Sequence, residues 1–216
     1  MEEQAKEKIS AKRVIWVFIG VFFIGLGSAL LRLSGMGTDP FGCMNLGVSS
    51  VLQMQFGTYQ LLLNIVLLIP MLIWMRKGLG LGTIVNMVGV GYVSDFCVWC
   101  IGRFGITAEG LSGKLPIQLG VMLLAVISLC FGVALYMECA LGIAPYDALG
   151  EIIPLLTRER IKFFAARVIT DIICVLIGFI SGSVVGIATV VTAFFTGPLV
   201  SFFRKNAAGV ILEEKR

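Results

Sequence analysis

The sequence contains no histidine among its 216 residues. That absence removes imidazole acid–base catalysis, Ser-His-Asp triads and histidine-ligated metals. Charge is scarce too, at 14% of residues, where a soluble domain carries about 25%. Hydrophobic residues make up 58% and the mean hydropathy is +0.98, so a water-soluble fold of this length has too little polar surface to cover its apolar groups. A lipid bilayer is the expected solvent. Period-2 alternation is missing, which excludes a membrane barrel. Gly80, Gly82 and Thr83 lack the lysine of a phosphate-binding loop, so no nucleotide site is implied.

What the chain does have is long uncharged stretches, at 14–31, 40–75, 78–94, 115–137 and 172–203. Lipid cannot hydrogen-bond a bare backbone, so such stretches cross as helices of about 20 residues. The fold class is therefore all-α, a polytopic membrane protein with six spans expected at 14–33, 57–75, 80–101, 117–138, 163–180 and 184–203. Two apolar stretches, 40–54 and 145–156, are too short to cross and suit re-entrant or interfacial half-helices. The first apolar run is too long for a signal-peptide core and is followed by no small-residue cleavage pattern, so it is expected to be retained. One membrane domain over 1–216 is expected, with no soluble appendage.

Basic residues test this count. With a cytoplasmic N-terminus, the inner side collects Lys6, Lys8, Lys12, Arg13, Arg76, Lys77, Arg158, Arg160, Lys162, Arg204, Lys205, Lys215 and Arg216. Only Arg103 and Lys114 fall outside, while Arg32 and Arg167 lie within spans. Thirteen of the 17 basic residues thus lie inside, as the positive-inside rule requires, with both termini cytoplasmic. The +4 net charge then needs no nucleic-acid partner.

The chain also repeats itself. Gly27, Ala29, Leu30, Gly37 and Pro40 recur 105 positions later as Gly132, Ala134, Leu135, Gly142 and Pro145. Gly80, Thr83, Val85, Gly91 and Phe96 recur 106 positions later as Gly186, Thr189, Val191, Gly197 and Phe202. Repeat one covers about 14–102 and repeat two about 117–205. Each holds three spans, an odd number, so the second enters the membrane from the opposite side. Inverted repeats with interrupted helices are a common plan of secondary transporters, which bind substrate near the midplane between the halves.

The same residues carry a resemblance. The Gly-x-Ala-Leu and Gly-x-x-Pro elements, with Gly82, Thr83 and Asn86 as Gly-Thr-x-x-Asn, resemble the YczE/YyaS/YitT-type bacterial integral membrane proteins over roughly 14–203. Gly142, Pro145, Tyr146 and Asp147 are similar to that family's Gly-x-x-Pro-Trp-Asp, with tyrosine at the aromatic position. The first copy, Gly37, Pro40, Phe41 and Gly42, lacks the acid after the aromatic. The resemblance implies a multi-pass protein of a bacterial-type plasma (inner) membrane and names no substrate.

Ten residues are candidates for a substrate or ion path: Arg32, Asp39, Pro40, Asn86, Asp95, Glu138, Pro145, Asp147, Arg167 and Asp171. Pro40 and Pro145 suit the first turns of the half-helices, where a missing N–H costs nothing. Asp39 then falls at an N-cap and Asp147 in a first turn. They either compensate the helix ends or frame a path for a cation or proton. Arg167 and Asp171, four apart, can pair along one face, as a structural pair or as a gating or coupling pair. Arg32 and Glu138 occupy near-equivalent repeat positions and are expected to snorkel to opposite interfaces. Asp95 lies near the outer end of the third span. Asn64 and Asn86 are expected to join helices by amide hydrogen bonds. Acids outnumber bases among the membrane-region candidates, which favours a cationic or proton-coupled substrate.

Two further motifs read as structural. Cys97 and Cys100 form an isolated CxxC with no second ligand pair, and all six cysteines lie in or beside apolar runs, so no metal or cofactor is expected. Gly178, Gly182 and Gly186 spell GxxxG twice, but Gly182 sits where spans five and six must turn. The leading function is a permease or secondary transporter for an unidentified small molecule or ion, in the lipid bilayer, with a homo-oligomer or a membrane partner as possible assemblies. Alternatives are a substrate-binding subunit of a larger transporter complex and a non-transporting accessory or regulatory protein. An enzyme is not expected, because no nucleophile–base pair is visible.

Overall fold

A computed structural model describes residues 11–211, with side chains to 205. Lys6, Lys8, Lys215 and Arg216, four of the basic residues assigned to the inner side, lie outside the described residues. In chain order the helices are α1 (Ala11–Ser34), α2 (Pro40–Val51), α3 (Phe56–Trp74), α4 (Leu81–Arg103), α5 (Ala108–Leu111), α6 (Leu115–Glu138), α7 (Pro145–Leu156), α8 (Phe163–Ile180) and α9 (Ile187–Ile211). No strand occurs among the described residues. Six helices, all but α2, α5 and α7, are long and apolar enough to cross a membrane. The chain is a multi-pass integral membrane protein.

Large apolar side chains such as Phe164, Ile180, Phe194 and Phe104 are exposed, whereas the centre is filled by small residues and a few aliphatics. This inversion is expected where the outer solvent is lipid and helix association depends on close approach. α1 and α6 form the central pair. A Cβ on Gly20 would sit 2.9 Å from the Gly132 carbonyl oxygen, and one on Gly132 would sit 2.6 Å from that of Gly20. Gly27 meets the backbone of Leu129 in the same way, at 2.7 Å. Ser128 Oγ donates to the Phe23 carbonyl at 2.9 Å, which adds a polar tie across the glycine seam.

The two half-helices start for local reasons. Asp39 is the extended N-cap of α2 and its Oδ2 accepts from Gly42 N at 2.9 Å, with Pro40 next at the first helical position. α7 begins with Pro145, but its cap is Ala144, which has no side-chain acceptor. Its acid, Asp147, lies one step inside the first turn and is free to bond elsewhere.

The segments leading into α2 and α7 dock crosswise. Gly37, with φ +97°, lies against Gly186 and Thr189 at the start of α9, and Met36 O accepts from Ala188 N at 3.0 Å. Gly142, with φ +120°, lies against Gly80 and Thr83 at the start of α4, and Leu141 O accepts from Gly82 N at 2.8 Å. Thr83 Oγ1 and Thr189 Oγ1 accept from Gly80 N and Gly186 N in matching local bonds of 3.2 and 3.3 Å. Left-handed backbone also recurs where the residue types differ. Gly35 and Ala140 have φ of +66° and +51°, and Gln53 and Arg158 have +53° and +50°. Each pair is separated by 105 positions.

Expected and observed boundaries differ by little except at α9, which is expected at 184–203 and runs Ile187–Ile211, while α7 and α8 begin and end as read from the sequence. The polar connection before α6 adds one unforeseen helical turn, α5, capped by Thr107 Oγ1 accepting from Gly110 N at 3.1 Å. Gly182 has φ +82° and forms the α8–α9 turn. Gly178 packs on the Cys43 backbone and Gly186 on Met36, so the GxxxG glycines serve contacts within the chain.

Candidate functional site

α2 and α7 meet through their first turns. The Phe41 ring stacks on the Tyr146 ring with centroids 4.3 Å apart. Each aromatic directly follows a helix-opening proline, so the same local motif is used on both sides of the contact. α8 runs alongside and supplies two charges to the junction. Tyr146 OH donates to Asp171 Oδ1, and Arg167 Nη1 donates to Asp147 Oδ1 at 2.6 Å. Arg167 Nε lies 3.8 Å from Asp171 Oδ2, and its guanidinium covers the Tyr146 ring, 4.7 Å from the centroid. One guanidinium therefore serves two carboxylates, on α7 and on its own helix, while Asp39 stands two residues before Phe41.

The arrangement refines the expected Arg167–Asp171 pair. The short bond goes to Asp147, and Asp171 is held mainly by the tyrosine hydroxyl. A carboxylate and a guanidinium cross an apolar slab at tolerable cost only when paired and hydrogen-bonded. Around them Met44, Cys174, Leu63, Leu67 and Leu149 form an apolar wall. Asn45, one turn beyond Phe41, is fully buried, and neither its amide nitrogen nor its oxygen has a hydrogen-bond partner among the described residues. Sequence reasoning missed Asn45, Phe41 and Tyr146 as members of this group. The sole available signal was the aromatic after each repeated proline.

The other candidates fall into two separate pairs. Arg32 Nη1 donates to Asp95 Oδ1 at 2.8 Å and to Ser94 Oγ at 3.1 Å, which joins α1 to α4. Asp95 Oδ2 accepts from Gly57 N at 2.8 Å and so caps α3 as well. Further along the chain, Arg204 Nε donates to Glu138 Oε1 at 2.6 Å, which joins α6 to α9. Arg32 and Glu138 thus do not simply snorkel. Each is held by a neighbouring helix because a partner of opposite sign stands within reach. Asn86 is half-buried on α4 and belongs to none of these groups, and Asn64 is buried on α3. No cluster of three or more metal-ligating side chains occurs among the described residues, and all six cysteines are free.

Comparison with known sequences decides the family. The pattern of DUF6198, described as a family of unknown function, matches residues 11–205. The chain belongs to DUF6198. This member is also 28% identical over 196 residues to an uncharacterized protein of Haemophilus influenzae (strain ATCC 51907 / DSM 11121 / KW20 / Rd), covering 89% of this chain and 83% of the other. It is 26% identical over 185 residues to the uncharacterized protein YyaS of Bacillus subtilis (strain 168), covering 86% and 89% respectively. The resemblance read from the glycine and proline motifs is borne out by that relative. No solved structure matches.

Proposed function

We propose that this DUF6198 member is a small-molecule or ion permease of the secondary-transporter kind, with its coupling path at the junction of α2, α7 and α8. The carrying observation is the stacked meeting of two proline-headed half-helices beside Asp39, Asp147 and Asp171, with Arg167 as the one base bonded there among the described residues. Half-helix ends within membrane depth are tolerated where they are buried in protein or line a path. The surplus of carboxylate over guanidinium fits a coupling cation or proton, and the unpartnered Asn45 amide adds polar capacity inside the apolar wall.

The reading takes α1–α4 and α6–α9 as inverted halves. Support comes from the crosswise docking of Gly37 and Gly142 and from left-handed residues recurring at one offset. The basic residues at Arg76, Lys77, Arg158, Arg160 and Lys162 favour a cytoplasmic position for the α3–α4 and α7–α8 turns, and hence for both termini, in a bacterial plasma membrane. No covalent chemistry, cofactor or nucleic-acid partner enters this reading.

The test is electrical. Full-length protein in liposomes is exposed to steps of sodium, potassium, ammonium, methylated amines and pH, and currents are read on a solid support. At least one gradient is expected to drive a current above that of empty liposomes, and D147N/D171N is expected to lower it tenfold or more. Wild-type currents equal to empty liposomes for the whole panel would overturn the permease reading. An unchanged current in the folded double variant would overturn the assigned path.

A further inference from the structure

A second site lies away from the half-helix junction. A cleft of about 420 Å³ opens between the far end of α2, the start of α3 and α4. Its walls include Arg32, Asp95, Phe56, Trp99, Met54 and Gln55. This volume is within the usual range for small-molecule pockets, which are mostly apolar with a few placed polar groups.

The charged pair in this cleft leaves donor capacity on Arg32. Asp95 has both carboxylate oxygens engaged, one by Arg32 Nη1 and one by Gly57 N. Arg32 uses Nη1 for Asp95 and Ser94, while its Nε and Nη2 make no hydrogen bond among the described residues. The guanidinium lies over the Phe56 ring, 4.5 Å from the centroid, which fixes its plane. Arg32 is therefore held through Nη1, and its Nε and Nη2 hydrogens, which can make two parallel bonds to a carboxylate, are unused among the described residues. The charge of Asp95 is already balanced by Arg32, and each of its oxygens already accepts one hydrogen bond. The aromatic and aliphatic walls suit an apolar body attached to that carboxylate.

We propose that the Arg32 cleft binds a small soluble carboxylate with an apolar body, Arg32 gripping the carboxylate and Asp95 acting as a positioning residue. Its place at the entrance of a transport path rests on the permease reading. Binding itself does not depend on that reading.

Trp99 supplies the readout. In the W16F/W74F background, full-length protein in phosphatidylcholine nanodiscs is titrated at pH 7.5 with cyclohexanecarboxylate and, separately, with its neutral amide. A saturable change in Trp99 fluorescence is expected with the acid, at least tenfold weaker with the amide. R32Q alone leaves Asp95 unpaired, so R32Q/D95N is the informative variant, with circular dichroism and gel filtration confirming its fold. It is expected to bind the acid at least tenfold more weakly. Equal binding of acid and amide, unchanged binding in the folded double variant, or no saturable change overturns the proposal. So does inorganic phosphate competing as well as the acid. Loss of acid binding in phosphatidylglycerol nanodiscs assigns the guanidinium to a lipid headgroup and overturns the soluble ligand. Acid binding without any current retains the cleft and removes the permease. Current without acid binding does the reverse.

Discussion

Glycine placement divides the sequence into contacts and open surface, one residue at a time. Gly132 faces the Gly20 backbone at a distance no Cβ occupies, while Gly120 on the same helix has nothing within 4 Å. Gly132→Val is therefore expected to destabilise by about 1–3 kcal/mol or more through overpacking, a fall of roughly 2–4 °C in Tm per kcal/mol for a chain of this size. Gly120→Val is expected to leave Tm within a degree or two, both read by thermal unfolding in one detergent. Comparable Tm values for the two variants would show that the α1–α6 seam is not closely packed. Ala140 offers the opposite sign. It is exposed with φ +51°, so Ala140→Gly is expected to stabilise by about 1 kcal/mol by relieving left-handed strain. Asp39→Ala removes the sole side-chain cap of α2 and is expected to cost about 1 kcal/mol, with Asp39→Ser retaining most of it.

At the scale of elements, the half-helices explain why two separate motifs repeat. Gly37 and Pro40 are not an isolated turn, and neither are Gly80 and Thr83 an isolated helix start. Gly37 docks on the Gly186 and Thr189 start of α9, and Gly142 on the Gly80 and Thr83 start of α4. Gly37→Ala and Gly142→Ala should therefore behave as a matched pair. Each adds a Cβ that would lie 2.6 or 2.5 Å from a threonine Oγ1, in a backbone region costly for L-residues. Tm losses of similar size are expected for both, clearly larger than for Gly102→Ala, where no neighbour lies within 4 Å. A large loss in one and none in the other would break the equivalence of the two docks. The ion pairs follow the same scheme with exchanged polarity: α1 carries the base and α4 the acid, then α6 carries the acid and α9 the base. Sequence comparison alone could hardly pair them, because charges of opposite sign score as a mismatch.

For the whole molecule, the prediction concerns sidedness. In a variant lacking the native cysteines, Lys77→Cys and Glu159→Cys are expected to react with a membrane-impermeant maleimide only after permeabilisation. Glu109→Cys, on exposed α5, is expected to react in intact cells. Labelling of all three in intact cells would overturn the six-span topology with cytoplasmic termini. The bilayer crossings were legible because hydropathy is a local property of 20 residues and needs no knowledge of neighbours. Half-helices were legible for a related reason, since proline and a capping acid act within one turn. Tyr146, Phe41 and Asn45 were not legible as a group. Tyr146 lies more than 100 positions from Phe41 and Asn45, and only the packing of α2 against α7 and α8 brings them together.

By itself, then, the sequence determined the solvent, the number of crossings, the two interrupted segments and the family, because each depends on composition or short-range backbone chemistry. Tertiary structure decided which carboxylates share Arg167, why Arg32 and Glu138 stay within the bundle, and which side chains line the cleft beside Arg32. Those outcomes depend on distances of a few ångströms between remote helices, and close approach at glycine is what sets them.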